Sequence, residues 1–393
     1  MSEVTILQVV PRLEAGGSEQ STIEIAEALT AAGAKALVAS EGGRLVERLE
    51  NAGGELIRLP LASKNPLTIL ANAQRLAELV EARDVSLLHA RSRAPAWSAF
   101  LAARRTGRPF VTTYHGAYRR QFPLKQAYNG VMARGDRVIA NSRYTAEIIA
   151  ARHGVPMERM RVIHRGLDIA QFARDAIAPA RFQRLRDAWG IEEGCPVILQ
   201  AARLTRLKGH THTIEAARLL REAGQLGDAV VIFAGSADGR DGYREELEKK
   251  IADGGLEGRV RLVGHCDDMP AAFNLATVGI LPSTRAETFG RPSIEAQAAG
   301  CPVIVTDVGA APENVIAASD SSDFTGWVVP PSDAPALAES LAEALALPPD
   351  ARATICQRAR AHVGCHFALE TMQRDTLAVY DELLGTNLAS HLR

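Results

Sequence analysis

The chain alternates short apolar runs with longer segments whose apolar residues recur at helical spacing. The runs are continuous and do not alternate with polar residues, which is typical of strands covered on both faces of a parallel sheet. They lie at residues 4–10, 36–39, 55–59, 86–89, 110–113, 137–140 and 161–163, and then at 197–201, 229–234, 259–263, 278–281, 303–306 and 327–329. Strands that alternate with helices predict doubly wound α/β domains, and there are enough strands for two sheets.

A chain of 393 residues also favours two domains. The stretch from Asp168 to Pro196 is charged, has no strand signal and carries a helical pattern at 181–189. We therefore assign residues 1–170 to an N-terminal domain and residues 171–366 to a C-terminal domain. The pattern from about 367 to 384 predicts a further helix.

Composition excludes several functional classes. The formal net charge is −1, so electrostatics do not indicate nucleic-acid binding. Five scattered cysteines without a C-x-x-C pair predict neither a disulfide framework nor a zinc site, in keeping with a reducing cytoplasm. The first apolar run is too short for a signal peptide and no run has membrane-spanning length, so we expect a cytoplasmic protein.

Several catalytic motifs are absent from the sequence. It contains no G-x-G-x-x-G, no Walker P-loop, no H-E-x-x-H and no G-x-S-x-G. It also lacks Asp-x-Asp, the usual carboxylate motif for a metal-bound nucleotide. A protein that binds a diphosphate without this motif needs basic side chains and helix N-termini.

Two carboxylates, Glu287 and Glu295, stand eight positions apart around a Phe-Gly-Arg-Pro turn. The first follows the apolar run 278–281, and the second lies in a helical pattern that ends at Gly300. The segment therefore predicts a strand, a tight loop and a helix start, where α/β proteins bind ligands. The alternative is a pair of solvated acids favoured by the helix dipole.

Three other strand ends carry candidate chemistry. Arg203 and Lys208 flank a short loop after the run 197–201, and together they suit a diphosphate. Gly16 and Gly17 follow the first strand and permit close approach of backbone to a ligand. His115 follows the run 110–113, where it faces the ligand edge of a parallel sheet. The alternatives are a solvated basic loop, an ordinary βα turn and a structural histidine.

Taken together, these residues resemble the retaining nucleotide-sugar glycosyltransferases of family 4. The resemblance spans nearly the whole chain. In order, it rests on Gly16-Gly17-Ser18-Glu19, Tyr114-His115-Gly116, Ala140-Asn141-Ser142, Arg165-Gly166-Leu167-Asp168, Arg203 to Gly209, Phe233-Ala234-Gly235, Pro282-Ser283 with the acid pair, Gly300-Cys301-Pro302-Val303 and Pro312-Glu313. The resemblance implies the GT-B fold, in which two Rossmann-like domains flank an interdomain cleft.

The resemblance also implies roles for the second domain, which would bind the nucleotide diphosphate-sugar donor. Arg203 and Lys208 would hold the diphosphate and stabilise the leaving group. Glu295 would accept hydrogen bonds from the ribose, and Glu287 would orient the donor sugar. Backbone amides around Phe289-Gly290 would bind sugar or phosphate oxygens.

By the same resemblance, the first domain would bind the acceptor. Gly16 and Gly17 would approach the diphosphate, and His115 would hydrogen-bond the donor sugar near the reacting carbon. The C-terminal helix, about 367–393, would cross back to join this domain.

The implied activity is retaining transfer of a sugar from a UDP- or GDP-linked donor to a hydroxyl of a glycolipid or saccharide, without metal or other cofactor. Lipopolysaccharide, polysaccharide or glycolipid assembly would be its setting. The alternatives are a nucleotide-sugar epimerase or hydrolase on the same fold and a non-catalytic sugar-binding protein. Arg165 stands where the family has Asn, Gln297 where Met is common, and Gly309-Ala310-Ala311 where a Gly-Gly turn is common.

One segment of the first domain is strongly basic. Residues 91–146 contain eleven Lys or Arg and one acid, Asp136, with Trp97, Phe100, Phe122 and Tyr128 interleaved. The basic residues include Arg104, Arg105, Arg108, Arg119, Arg120, Lys125 and Arg134. Peripheral contact with the anionic inner face of a membrane is one hypothesis. A solvated face whose charges pair with acids elsewhere is the other.

Overall fold

The computed structural model describes residues 3–14, 17–116 and 123–392, without the side chains of residues 123 and 124. The chain divides into two compact units. Unit 1 comprises Met1–Gly166 and Leu369–Arg393, and unit 2 comprises Leu167–Ala368. Each unit is an α/β domain built on its own parallel sheet, which confirms the predicted fold class.

Within the described residues, thirteen strands occupy the predicted apolar runs to within one or two residues at each end. The strands are β1 (Thr5–Val9), β2 (Lys35–Ser40), β3 (Glu55–Arg58), β4 (Leu87–Ala90), β5 (Phe110–Tyr114), β6 (Arg137–Ala140), β7 (Met160–Val162), β8 (Val197–Ala201), β9 (Val230–Ala234), β10 (Val260–Gly264), β11 (Val278–Leu281), β12 (Val303–Thr306) and β13 (Gly326–Val329). Unit 1 has the strand order β3-β2-β1-β4-β5-β6-β7, and unit 2 has the order β10-β9-β8-β11-β12-β13.

In the described part of the chain an α-helix follows every strand except β12, and the last four helices follow β13. The helices are α1 (Gly17–Ala31), α2 (Val46–Asn51), α3 (Pro66–Ala82), α4 (Arg93–Thr106), α5 (Pro123–Asn129), α6 (Arg143–His153), α7 (Pro179–Trp189), α8 (His210–Glu222), α9 (Asp241–Asp253), α10 (Met269–Leu275), α11 (Arg291–Ala298), α12 (Ala334–Ala346), α13 (Pro349–His366), α14 (Leu369–Leu384) and α15 (Leu388–His391). In the ranges described, none of these helices has both the length and the apolarity needed to span a bilayer.

The division between the units lies at Gly166/Leu167, four residues before the expected boundary at residue 170. The reason is a short parallel bridge between Leu167 and Ala368, which fastens the start of unit 2 to its end. The Leu167 amide also donates to the Phe367 carbonyl at 2.9 Å. The returning segment therefore begins at Leu369, whereas the expectation was residue 367.

Both sheets reverse their direction of growth at one place. In unit 1 the chain builds outward from β1 through β2 to β3, and then from β4 on the other side of β1. In unit 2 the same reversal separates β8 from β11. At such a switch point the loops after two neighbouring strands diverge and open a crevice at the carboxyl edge of the sheet.

Apolar side chains cover both faces of each sheet. In unit 1, Leu7 and Leu88 pack towards α3 and α4, whereas Ile6 and Leu87 pack towards α1 and α14. This arrangement explains why the strand sequences read as continuous apolar runs. It also fixes the register, because a slip of one residue would exchange the two faces.

We predict that Gly209→Ala destabilises the protein by about 2 kcal/mol or more. Gly209 has φ +74°, and an added Cβ would lie 1.9 Å from the Pro282 carbonyl oxygen, so the loops after β8 and β11 would be forced apart. Urea unfolding measures the change. Gly224→Ala is the matched control, because φ is +69° there but nothing lies within 4 Å of an added Cβ. Equal losses in the two variants would show that the close approach is unimportant.

Candidate active site

The loops after β8 and β11 are joined at the switch point of unit 2. The Thr284 amide donates to the Leu207 carbonyl at 3.0 Å, across the two loops. Buried Gln200, on β8, donates from Nε2 to the Lys208 carbonyl at 2.7 Å and accepts from Thr213 Oγ1 at 2.8 Å. The backbone that carries Lys208 is therefore fixed by its own strand and by the neighbouring loop.

Lys208 and Glu287 meet at this place. Lys208 Nζ forms an ion pair with Glu287 Oε1, and the two side chains are only 22% and 20% exposed. Ser283, fully buried at the end of β11, donates from Oγ to the same carboxylate oxygen at 2.6 Å. Two of the predicted site residues are thus in direct contact. Ser283 belonged to a quoted motif but had no predicted role, because nothing in the sequence shows where its hydroxyl points.

The loop after β12 supports the backbone of Glu287. The Ala310 amide donates to the Glu287 carbonyl at 2.8 Å. Gly309 has φ +71°, and an added Cβ would lie 2.3 Å from that carbonyl oxygen. Gly309, the glycine of the Gly309-Ala310-Ala311 turn, is therefore required for close packing against the loop that carries Glu287.

Arg203 lies on the same loop as Lys208 but in a different environment. Its side chain is 66% exposed, and Nη1 is 3.9 Å from Asp238 Oδ2, a weak surface ion pair. The structure therefore joins Lys208 to Glu287, whereas the described ion partner of Arg203 is an acid on the loop after β9.

The turn before α11 is held by Asn314, a residue that the sequence analysis did not single out. Asn314 is buried, donates from Nδ2 to the Phe289 carbonyl and contacts Ser293 Oγ at 2.9 Å. Phe289 is 3% exposed and packs edge-on against Phe367 at 6.0 Å. Gly290 has φ +83° and directly precedes α11, and the carbonyls of Phe289 and Gly290 both point to Asn314 Nδ2.

Glu295 lies one turn into α11. Its side chain is 13% exposed, and Oε1 accepts a hydrogen bond from Arg291 Nε at 2.7 Å. Burial raises the pKa of Glu295 and outweighs the opposing effect of Arg291. A carboxylate can accept several hydrogen bonds, so Glu295 can accept more than the one from Arg291 at this largely buried position near the start of α11.

In unit 1, His115 lies directly after β5 and is linked to Arg165. His115 Nδ1 is 3.2 Å from Arg165 Nη2. Burial, followed by the positive charges of Arg165 and Arg91, holds the pKa of His115 well below its ordinary value. Gly17 starts α1, and an added Cβ would lie 2.1 Å from Arg165 Nη1. Gly16 lies outside the described residues.

The basic stretch of unit 1 is partly paired with acids. Arg108 contacts Asp84 at 2.8 Å, and Arg137 contacts Glu382 at 2.8 Å. Exposed Arg104 lies over the Phe100 ring at 5.4 Å, and exposed Arg134 lies over the Trp97 ring at 5.2 Å. Of the residues named in the sequence analysis, Arg119, Arg120 and Phe122 lie outside the described part of the chain.

Two family models match the chain. Residues 15–171 match the model described as Glycosyltransferase Family 4. Residues 181–362 match the model described as Glycosyl transferases group 1. The first match covers most of the N-terminal segment of unit 1, and the second covers most of unit 2.

Among solved structures, a glycosyltransferase from Rickettsia africae is 32% identical, with a TM-score of 0.89 over 98% of this chain and 100% of that chain. Anabaena HepE in complex with UDP-glucose is 24% identical, with a TM-score of 0.79 over 97% of this chain and 100% of that chain. At this identity the match shows that the two proteins share a fold.

Among curated relatives, D-inositol 3-phosphate glycosyltransferase 1 from Catenulispora acidiphila is 33% identical over 46% of this chain and 43% of that protein. D-inositol 3-phosphate glycosyltransferase from Salinispora arenicola is 31% identical over 65% of this chain and 56% of that protein. The matches thus span about half the length of these curated relatives. Both family models and the full-length structural match lead to one conclusion: the chain belongs to the family 4 glycosyltransferases with the GT-B fold.

Proposed function

We propose that this protein is a retaining glycosyltransferase that moves a sugar from a UDP- or GDP-linked donor to a hydroxyl acceptor. The observation that carries the proposal is the contact of Lys208, Glu287 and Ser283 at the switch point of unit 2. A cation and an oriented carboxylate at one crevice suit a ligand that joins a diphosphate to a polyhydroxylated ring.

The proposed reaction needs no group beyond donor and acceptor. The bond between the anomeric carbon and the diphosphate oxygen breaks, and the acceptor oxygen bonds to that carbon from the same face. The acceptor proton passes to the departing phosphate oxygen. Lys208, and Arg203 after its exposed side chain turns from Asp238, stabilise the charge on the leaving group in place of a metal.

The other predicted residues receive the roles that the resemblance implies. Glu287 orients the donor sugar, and Glu295 accepts hydrogen bonds from the ribose. The amides of the Phe289-Gly290 turn bind donor oxygens at the start of α11. From unit 1, His115 contacts the donor sugar and Gly17, with Gly16, approaches the diphosphate.

The acceptor class is proposed from the names of the curated relatives. They include D-inositol 3-phosphate glycosyltransferases, a 2-deoxystreptamine glucosyltransferase from Streptomyces kanamyceticus and an amylovoran biosynthesis glycosyltransferase from Erwinia amylovora. Each named acceptor or product is rich in hydroxyl groups. We propose a polyhydroxylated acceptor, either free or carried on a cytoplasmic glycolipid of lipopolysaccharide or polysaccharide assembly.

Donor turnover with and without acceptors tests this function. UDP- and GDP-sugars are first ranked by thermal shift, because a ligand that binds the native state raises its stability by mass action. The best donor is then incubated with saccharide and glycolipid acceptors, and the product is examined by mass spectrometry and anomeric NMR. An α-linked product from an α-linked donor is expected. Rapid donor hydrolysis or epimerisation that no acceptor accelerates would favour the alternative enzyme class.

We predict that Glu295→Gln lowers UDP affinity roughly tenfold or more, because hydrogen bonds to a charged acceptor are worth about 1.5–3 kcal/mol. Calorimetric titration with UDP measures the change. The matched control is Glu248→Gln on α9, whose carboxylate pairs with Arg244 on an exposed face. If UDP affinity is the same in Glu295→Gln and in the wild type, Glu295 does not bind the ribose.

We further propose peripheral contact with anionic membranes through exposed Arg104 and Arg134, which lie beside Trp97 and Phe100. Sedimentation with phosphatidylglycerol vesicles is expected to exceed that with phosphatidylcholine vesicles, and to fall with salt and in the Arg104→Glu/Arg134→Glu double variant. Arg244→Glu, on α9, is the control for added negative charge. Equal recovery with both vesicle types would contradict the proposal.

A further inference from the structure

One face of the unit 1 sheet changes from apolar to polar along its strands. Near the amino ends, this face carries Ile6, Leu87, Val111 and Ile139, all buried under α1 and α14. Near the carboxyl ends, the same face carries Gln8, His89, Arg91 and Thr113, which are 0%, 0%, 4% and 5% exposed. The register places Gln8 beside His89, and Arg91 and Thr113 lie two residues further along the chain than His89 and its partner Val111. These four neighbouring polar residues are called the polar row. Buried polar groups at this density must find partners.

Most of this row is connected by hydrogen bonds. Gln8 donates from Nε2 to the Thr22 carbonyl at 3.0 Å and accepts at Oε1 from Arg91 Nε at 2.9 Å. His89 lies between Tyr380 Oη at 2.6 Å and Thr113 Oγ1 at 2.7 Å.

Tyr380, on α14, also lies near Arg91, whose positive charge opposes the rise that burial causes in the Tyr380 pKa. Burial holds the pKa of His89 well below its ordinary value, so the neutral ring donates from one nitrogen and accepts at the other, towards Tyr380 and Thr113.

Arg91 is the member of the polar row whose charge has no counter-ion in contact in the described part of the chain. Its guanidinium makes no ion pair within 4.0 Å, and its Nη2 has no hydrogen-bond partner among the residues that the structure describes. Glu24, on α1, attracts Arg91 only at longer range, and its Oε1 accepts from Gln20. A guanidinium stays charged in a protein, and a buried charge without a counter-ion is costly. This cost is removed when a ligand supplies an oxyanion.

The position of Arg91 is that of a ligand site. It directly follows β4, beside β1, at the switch point of the unit 1 sheet. Two strands away, Asn141 follows β6 and is 1% exposed, and neither its Nδ2 nor its Oδ1 has a hydrogen-bond partner within the described ranges. The pairing of Tyr114 with Ala140 places Asn141 beside His115.

We propose that Arg91 binds a phosphate group of a ligand at the carboxyl edge of unit 1, and that Asn141 binds hydroxyls of the same ligand. This inference rests on the proposed function, because it makes the ligand a phosphorylated sugar or cyclitol that serves as acceptor. Two strand spacings, about 10 Å, separate the two positions, and such a molecule spans that distance across His115. The other source of a phosphate oxyanion is the donor diphosphate, which the experiment separates.

The experiment follows thermal unfolding of the full chain at constant ionic strength with four probes: inorganic phosphate, glucose 6-phosphate, glucose and UDP. For the wild type, phosphate and glucose 6-phosphate are expected to raise Tm in proportion to the logarithm of ligand concentration above Kd, by about 5 °C at a hundredfold excess over Kd. Glucose alone is expected to have little effect.

Arg91→Met, which replaces the cation by an apolar chain of similar length, is expected to lose the responses to phosphate and glucose 6-phosphate and to keep the response to UDP. Asn141→Ala is expected to weaken glucose 6-phosphate binding about tenfold and to leave inorganic phosphate unchanged. Arg108→Met is the matched control, because Arg108 pairs with Asp84 at the opposite edge of the sheet and should keep every response.

Each outcome decides the proposal. If Arg91→Met loses the response to UDP and keeps that to glucose 6-phosphate, Arg91 binds the donor diphosphate and the acceptor assignment is wrong. If phosphate fails to raise the Tm of the wild type, or raises the Tm of the wild type and of Arg91→Met equally, there is no oxyanion site. Should Arg91→Met not fold, the wild-type titration and Arg91→Lys decide, with weaker phosphate binding expected for lysine. If UDP does not bind the wild type but the response to phosphate depends on Arg91, the proposed function is refuted and the oxyanion site stands.

Discussion

Replacing Lys208 by alanine is expected to lower kcat/KM for sugar transfer by roughly 10²–10³-fold, the usual cost of removing one group that stabilises developing charge. Gln200 holds the Lys208 backbone at the switch point, Gly209 allows its loop to pack closely against Pro282, and the Lys208 side chain is only 22% exposed. A cation held in place and sheltered from water acts on a leaving diphosphate more strongly than a solvated one. Initial rates over a range of donor concentrations measure the effect.

Lys249→Ala is the control for this prediction. Lys249 pairs with Asp253 on the exposed face of α9, and its removal should leave kcat/KM unchanged. Lys249→Ala should unfold within about 1 kcal/mol of the wild type, whereas Lys208→Ala, which leaves Glu287 sheltered without its cation, should lose more stability but remain folded. Transfer at the wild-type rate by Lys208→Ala would remove Lys208 from the catalytic machinery.

Replacing Glu287 by glutamine is expected to lower transfer roughly 10- to 100-fold while UDP affinity stays within about threefold, because hydrogen bonds to a charged group are worth about 1.5–3 kcal/mol. The amide keeps the shape of the side chain but loses the charge that pairs with Lys208 and accepts from Ser283. UDP lacks the transferred sugar, so a contact to that sugar alone should not alter UDP binding. The comparison uses transfer rates and UDP titration on the same preparations.

Ser283→Ala extends this test, since it removes one of the two groups that orient the carboxylate and should give a smaller loss with the same pattern. If Glu287→Gln instead lost UDP affinity in proportion to activity, the carboxylate would act on the nucleotide or the loop and not on the sugar. Glu248→Gln on α9 again controls for the loss of one negative charge.

The ion pair between Lys208 and Glu287 is a contact within the protein that the bound donor would replace. In the absence of ligand each charge neutralises the other, so neither is left buried without a partner. A donor with a diphosphate at one end and hydroxyls at the other offers new partners to both groups at once. UDP alone offers a partner only to Lys208, which leaves Glu287 with Ser283.

The strands were predictable from sequence because both faces of each sheet are covered. A continuous apolar run such as 197–201 or 303–306 has no solvent-facing position to interrupt it, and both match the structure at each end. The domain boundary was less predictable. It depends on the bridge between Leu167 and Ala368, which are about two hundred residues apart and carry no local signal.

The candidate site was predictable in part. Lys208 and Glu287 stood at strand ends that a doubly wound sheet brings to one edge, so each was found in its own loop. Their contact depends on the order of β8 and β11 in the sheet, which decides which strand ends are neighbours. Arg203 lies on the same loop as Lys208, yet its charge faces Asp238, because the loop turns between the two residues.

The sequence by itself determined the α/β class, the number of strands and the chemical groups at the strand ends, because these follow from local periodicity and residue type. Only the tertiary structure decided which of those groups are paired. Asn314 and Ser283 have no signal that marks their partners, and Arg91 looked like one of eleven cations in a basic stretch. Its burial beside Gln8 and Tyr380, without an acid in contact, arises from strand order and from the return of α14, which are set by packing across the whole unit.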